Sequence, residues 1–149
     1  MNYAWKTGAR IRVSAQLAGE VCEELEKEGR LDAQTLVDVS RPEDAPLHGE
    51  FEWNDSVAAE EFRKYQARVI IAHLVVVPVQ EERTPVRAFF NVSEQTPIYD
   101  SVGVVMESED KYRMLLERVI RELEAMKRRY NMVKGIEKLS EVIEQLRVS

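Results

Sequence analysis

The residues best suited to chemistry lie between Pro46 and Asp55. His48, Glu50, Glu52 and Asp55 are of types that ligate metal ions, and His48-Gly49-Glu50 matches the His-x-Glu of zinc deaminases. Those enzymes also need a Cys-x-x-Cys pair, whereas this chain has a single cysteine, Cys22. A turn histidine with solvated acids ahead of a helix explains the cluster more simply. We therefore predict no metal site.

Other catalytic templates are also missing from the sequence. It contains neither a glycine-rich phosphate loop nor a nucleophile elbow built on serine or cysteine. His73 falls on the apolar face of a predicted helix, where a hydrogen-bonded core histidine is the expected role. The sequence predicts a protein that is not an enzyme, with no catalytic residue and no cofactor.

Phe51 and Trp53 are one residue apart and precede the same predicted helix. An exposed pair would offer a surface for a partner or a nucleobase, whereas a buried pair would plug the core beside the helix. Large apolar residues before a helix commonly pack onto its first turns. We expect the plug, and we group His48, Phe51 and Trp53 as an interaction or core signature.

Basic residues indicate a possible nucleic-acid surface. The net charge of -6 argues against a protein that coats nucleic acid with its whole surface, but it is compatible with a local basic patch. If separate clusters converge, we expect duplex DNA as the partner. The alternative is a set of solvated helix faces, since Glu60 and Lys64 form an i,i+4 pair. The predicted nucleic-acid-binding residues are Lys6, Arg10 and Arg12 in a basic N-terminal arm, and Arg63, Lys64 and Arg68 in a helix; a third basic cluster comprises Lys127, Arg128, Arg129 and Lys134.

Helix-start and helix-stop residues predict the elements that position these side chains. One helix runs from an N-cap at Ser14 to Gly29, and a shorter one from Asp32 to Val39. A long helix begins at Val57, capped by Asn54, Asp55 or Ser56. Its predicted core face comprises Ala58, Phe62, Tyr65, Val69 and His73.

Alternating and β-branched residues predict a β-hairpin with strands near 75–80 and 86–92. Pro78 favours an edge position for the first strand, because proline cannot donate to a strand ladder. An isolated hairpin is marginally stable, so we expect it to pack on the helices.

The C-terminal part shows the clearest periodicity. A break is predicted at Asn131, before Gly135, followed by a helix near 132–147. The two helices pack together within the chain or against a partner. The first helix carries an apolar seam formed by Tyr112, Leu116, Val119, Leu123, Met126 and Tyr130, and the second continues with Met132, Ile136, Leu139, Ile143 and Leu146.

These patterns predict an α+β, predominantly helical fold. We expect a signature domain with its basic arm at 1–107 and a C-terminal helical hairpin at 108–149, packed on the first part. The longest apolar run, Val69 to Val79, is interrupted by His73 and Pro78 and is too short to span a bilayer. With its single cysteine, the chain is expected to be cytoplasmic, without a membrane partner.

Several motifs together resemble a family of small uncharacterised proteins encoded by bacteriophages and prophages. They cover residues 5 to 92 and comprise Trp5-Lys6-Thr7-Gly8, Pro46-Leu47-His48, Phe51-Glu52-Trp53-Asn54-Asp55, Ala58-Ala59-Glu60, Arg63 and Gln66-Ala67-Arg68. The resemblance implies a phage or prophage origin but no activity.

The expected function is therefore a non-enzymatic binding module that contacts DNA through the arm and the long helix. The alternative is an assembly component that oligomerises, or docks on another phage protein, through the C-terminal helices. Added salt should weaken phosphate contacts steeply but leave an apolar helix seam intact.

Overall fold

The computed structural model describes residues 1–57, 59–79 and 84–149. Helices make up 53% of the described residues, which also form two small antiparallel sheets. The α+β, mostly helical fold is confirmed. The chain divides into two compact units, Met1–Val104 and Val105–Ser149.

The first residues of the chain form a strand. The prediction of a basic arm that takes in the whole N-terminal segment up to Arg12 is therefore wrong for these first residues. Strand β1, Asn2–Trp5, pairs antiparallel with β2, Leu74–Val77, with Tyr3 opposite Val76. The Tyr3 side chain is buried, and its hydroxyl donates to Glu23 at 2.9 Å. Only residues after Trp5 retain the irregular backbone expected of an arm.

Strand β2 lies at the centre of a three-stranded sheet. On its other side is β3, Val86–Arg87, in antiparallel register with Val76 opposite Val86. The edge assignment for this strand is therefore wrong; Pro78 follows the last paired residue and does not interrupt the ladder. Part of the predicted hairpin, residues 80–83, lies outside the described residues.

The second predicted hairpin strand divides between two sheets. Strand β4, Phe89–Phe90, pairs with β5, Asp100–Ser101, and not with β2. The side chain of Phe89 is fully buried.

The first two helices follow their capping residues. Helix α1, Ala15–Lys27, begins after Ser14, whose hydroxyl accepts from Leu17 N–H, and Gly29 adopts φ +69° just beyond its end. Helix α2, Ala33–Val39, begins after Asp32, whose carboxylate accepts from Thr35 N–H. Both predictions are confirmed.

Helix α3, Glu60–His73, begins later than predicted. Asn54 Oδ1 accepts from the backbone and hydroxyl of Ser56, so these residues close a local turn instead of capping the helix. The predicted core face is also wrong: Phe62 and Tyr65 are exposed, whereas the buried residues of α3 are Arg63, Ala67, Ile70 and Ile71. Ala58 lies outside the described residues.

His73 is half-buried, and its Nδ1 lies 2.7 Å from the carbonyl oxygen of Val69. The core of the first unit is formed by α1, α2, α3 and the strands around them. Its fully buried members include Leu31, Leu36, Leu47, Ile71, Leu74 and Phe89.

The C-terminal unit is built around a helical pair. A short helix α4, Val102–Glu107, precedes α5, Glu109–Arg129. The break falls near Asn131 as predicted, with Gly135 at φ +94°. The final helix starts later than expected: a 3-10 turn, Ile136–Lys138, leads into α6, Leu139–Val148. No helix of the described residues is long and apolar enough to cross a membrane.

Candidate functional site

The segment from Pro46 to Asp55, here called the signature block, packs around Trp53. A 3-10 turn, His48–Glu50, leads to Phe51, which is buried, and to Trp53, which is half-buried against the core. The indole N–H of Trp53 donates to the carbonyl of His48 at 2.8 Å, and the His48 ring stacks on the indole at 5.0 Å. The predicted burial of this aromatic pair is therefore found in full for Phe51 and in part for Trp53.

Arg63 anchors this block from helix α3. Its side chain is only 5% exposed, and its guanidinium lies 5.3 Å from the centre of the Trp53 ring. Nε donates to Glu52 O at 2.8 Å, and the other nitrogens bind Asp55 and Glu60. The sequence predicts Arg63 as a nucleic-acid-binding residue, but in the structure its side chain is buried and its donors bind groups of the protein.

Arg41 extends the same network on the other side. Its guanidinium lies 5.7 Å from the Trp53 ring and donates to Glu60 at 2.6 Å and Asp38 at 3.0 Å. The hydrogen bond from Arg41 lowers the pKa of Glu60. The network joins α2, the signature block and α3, so its first role is architectural.

Glu50 joins the signature block to the N-terminal segment. Its carboxylate accepts from the backbone of Val13 at 3.0 Å, and Arg12 donates from its guanidinium to Gly49 O at 2.6 Å. The acids considered as metal ligands are thus engaged by protein groups. Within residues 1–57, 59–79 and 84–149, no three of the ligating residue types come together as a metal site.

Within the first unit, the remaining basic residues line two separate surfaces. Lys6 and Arg10 are exposed. Arg10 lies beside Phe62, Tyr65 and Gln66 of α3, whereas Lys64 and Arg68 line a separate cavity beside α2. The helical positions of these two groups put them on different flanks of α3. The third cluster belongs to the second unit.

Two exposed aromatic rings stand beside Arg10. The Phe62 and Tyr65 side chains are 46% and 58% exposed, and their rings stack at 6.3 Å. They line a groove of about 280 Å³ with Arg10 and Ile11. Sequence reasoning missed this pair because aromatic residues at helical spacing usually mark a core face.

Helix α5 carries an apolar seam that is not buried. None of its 21 residues is buried. On the seam, Leu116, Val119 and Leu123 are half-buried, and the other three residues, Tyr112, Met126 and Tyr130, are exposed.

Helix α6 folds back beside this seam. Lys127 Nζ lies 2.9 Å from Ser140 Oγ, and Arg147 forms an ion pair with Glu124. Near the end of α6, Leu146 and Arg147 line a groove with Leu116, Glu117 and Ile120. On a helical wheel, the centre of this contact is about a quarter turn away from the centre of the seam. Folding back thus leaves one side of the seam open.

Comparisons with protein-family models, curated proteins and solved structures give no match.

Proposed function

We propose that this protein is a non-enzymatic assembly module that joins two copies of the chain through helix α5. The observation that supports the proposal is the absence of any buried residue along α5 despite its apolar seam. Exposed apolar stripes commonly mark interaction surfaces, because covering them with a partner removes them from water.

The seam is self-complementary when two helices run antiparallel. Tyr112 and Met126 lie seven residues to either side of Val119, so a two-fold axis at Val119 sets Tyr112 of one copy opposite Met126 of the other. Such an isologous contact uses the same surface on both copies. At 1.5 Å per residue, α5 offers a contact length of about 31 Å.

Charges at the helix ends agree with this orientation. Glu109 and Arg129 lie ten residues to either side of Val119, and an antiparallel pair brings them together. Acids at the N-terminus and bases at the C-terminus also favour the dipole of a single helix. The apolar seam therefore carries the argument, and the charges at the helix ends are no more than compatible with the antiparallel orientation, since Glu109 also pairs with Arg113 within α5.

Two methionines on α5 provide a matched test. Met126 is on the seam and Met114 is on the opposite face, and each is 45% exposed. Met126→Glu should convert a dimer into a monomer in light scattering coupled to size-exclusion chromatography, because it buries an unpaired carboxylate. Met114→Glu should leave the mass unchanged. A wild-type monomer at high concentration, or equal effects of both substitutions, would refute the proposal.

DNA contact is a second candidate, favoured by the stacked Phe62 and Tyr65 rings beside Arg10. Exposed rings beside a cation suit unpaired bases, and phosphate contacts suit duplex or single strands. Anisotropy titrations of both DNA forms at low and high salt should show binding that weakens with salt and with Arg10→Ala. Binding insensitive to Arg10→Ala would remove this surface from consideration.

The resemblance to phage-encoded and prophage-encoded proteins supplies a context in which small assembly factors are common. A cytoplasmic location is part of the proposal, because the single thiol, Cys22, is buried in the core and unavailable for a disulfide.

A further inference from the structure

A cavity of about 480 Å³ opens in the first unit between α2, α3 and the segment that follows β4. This volume falls in the range of small-molecule sites, roughly 300–1,000 Å³. The residues that define its chemistry are Asp32, Lys64, Arg68, Asn91, Pro97 and Tyr99.

Two cations dominate the charge of this cavity. Lys64 and Arg68 are one helical turn apart on α3 and both line it. Lys64 contacts Glu61 at 2.5 Å, but the Glu61 carboxylate is 79% exposed, so water and a ligand compete readily for that pair. The side chain of Arg68 has no ion pair within the described part of the chain.

Asp32, the one carboxylate among the described residues of the wall, already has a structural role. Asp32 Oδ1 accepts from Thr35 N–H at 2.6 Å, which caps helix α2. Its charge is partly offset by this hydrogen bond, while the two cations of α3 are available to a ligand. The balance of charges that line the cavity therefore favours an anionic ligand.

The opposite wall is held in place by hydrogen bonds. Asn91 Nδ2 donates to Thr96 O at 2.7 Å and to Ile98 O at 2.9 Å. Tyr99 N–H donates to Leu31 O at 2.8 Å, which fixes this segment against the start of α2. A wall fixed in this way needs little ordering when a ligand binds.

We propose that this cavity binds a small phosphate ester of about the size of a nucleoside monophosphate. Lys64 and Arg68 bind the phosphate group, since arginine matches phosphate oxygens in a bidentate geometry. Pro97 and Tyr99 supply a partly apolar wall for the organic part of the ligand. Inorganic phosphate would fill only a fraction of the volume. The same phosphate chemistry occurs in a nucleic-acid backbone, so the test separates the two sources.

Isothermal titration calorimetry of the full chain with adenosine 5′-monophosphate, adenosine and inorganic phosphate tests the proposal. The monophosphate should bind most tightly, and adenosine should show no binding at about 1 mM. Arg68→Gln should weaken monophosphate binding by about tenfold or more, as expected for a lost charged hydrogen bond. Arg10→Gln is the matched control, because Arg10 is exposed and lines a different groove; it should have no effect.

Thermal melts of the Arg68→Gln and Arg10→Gln variants distinguish lost binding from lost folding. Both melting temperatures should match that of the wild type, because both arginine side chains are exposed. Lys64→Gln provides a second variant and should also weaken monophosphate binding. Equal affinity for adenosine and its monophosphate would overturn the proposal, as would monophosphate binding unchanged by both Lys64→Gln and Arg68→Gln. An oligonucleotide that binds through both Arg10 and Arg68, with no monophosphate binding, would also overturn it in favour of a nucleic-acid surface.

Discussion

Gly19→Ala tests whether the N-terminal residues are an anchored strand. Gly19 is buried in α1, and the ring of Tyr3 from β1 occupies the space where a β-carbon would project. Alanine in a helix interior is favoured over glycine by about 1 kcal/mol. Against this, forcing a methyl group into a packed contact costs roughly 1–3 kcal/mol. The net expectation is a loss of up to about 2 kcal/mol in unfolding free energy.

Gly103→Ala is the matched control. Gly103 lies in α4, and a β-carbon there meets nothing within 4 Å, so this substitution should be neutral or stabilise by up to about 1 kcal/mol. Urea unfolding followed by circular dichroism gives both values. In a Tyr3→Ala background, Gly19→Ala should lose its penalty because the ring is gone. A Gly19→Ala protein as stable as the Gly103→Ala protein would refute the anchored strand.

Three further outcomes follow from the core and its ion pairs. Trp53→Ala should destabilise the protein by about 3 kcal/mol, at the low end for aromatic truncation because Trp53 is half-buried. Trp53→Phe should cost only about 1 kcal/mol, for the lost hydrogen bond to His48. Equal losses of unfolding free energy in chemical denaturation would contradict the role of the ring. Burial raises the pKa of the Cys22 thiol to about 12, so a thiol reagent should react only on unfolding, and rapid labelling of the folded protein would contradict this burial. Hydrogen bonds from Lys27 and Tyr3 lower the pKa of Glu23 below its ordinary value of 4.5. The ionised Glu23 therefore stabilises the folded protein above pH 4.5, and this stabilisation is lost as the pH falls through the lowered pKa. Glu23→Gln should reduce the loss of melting temperature at acid pH, and an unchanged dependence of melting temperature on pH would contradict the assignment.

Local signals predicted the two N-terminal helices well. Ser14, Asp32 and Gly29 each act within a few residues of their own position, so capping chemistry alone fixes the helix ends. The strand at Asn2–Trp5 could not be predicted in the same way. Its partner, β2, is some seventy residues away, and nothing local distinguishes a strand from an arm.

The buried face of α3 was predicted wrongly for a related reason. Hydrophobicity places Phe62 and Tyr65 inside and Arg63 outside, but Arg63 is buried because Glu52, Asp55 and Glu60 satisfy its donors. Buried cations require such partners, and the partners are set by tertiary packing. Of the candidate site residues, His48, Phe51, Trp53 and Arg63 thus come together in the structure, while Arg10 and Arg68 lie apart on the two flanks of α3.

Disulfide trapping tests pairing through α5 most directly. In a Cys22→Ala background, Val119→Cys should cross-link two copies under mild oxidation, because an axis at Val119 brings the two cysteines together. Tyr112→Cys alone should not cross-link, whereas Tyr112→Cys combined with Met126→Cys should. Non-reducing electrophoresis reads all three. Cross-linking of Tyr112→Cys alone would indicate parallel helices, and no cross-linking of Val119→Cys would contradict pairing through this seam.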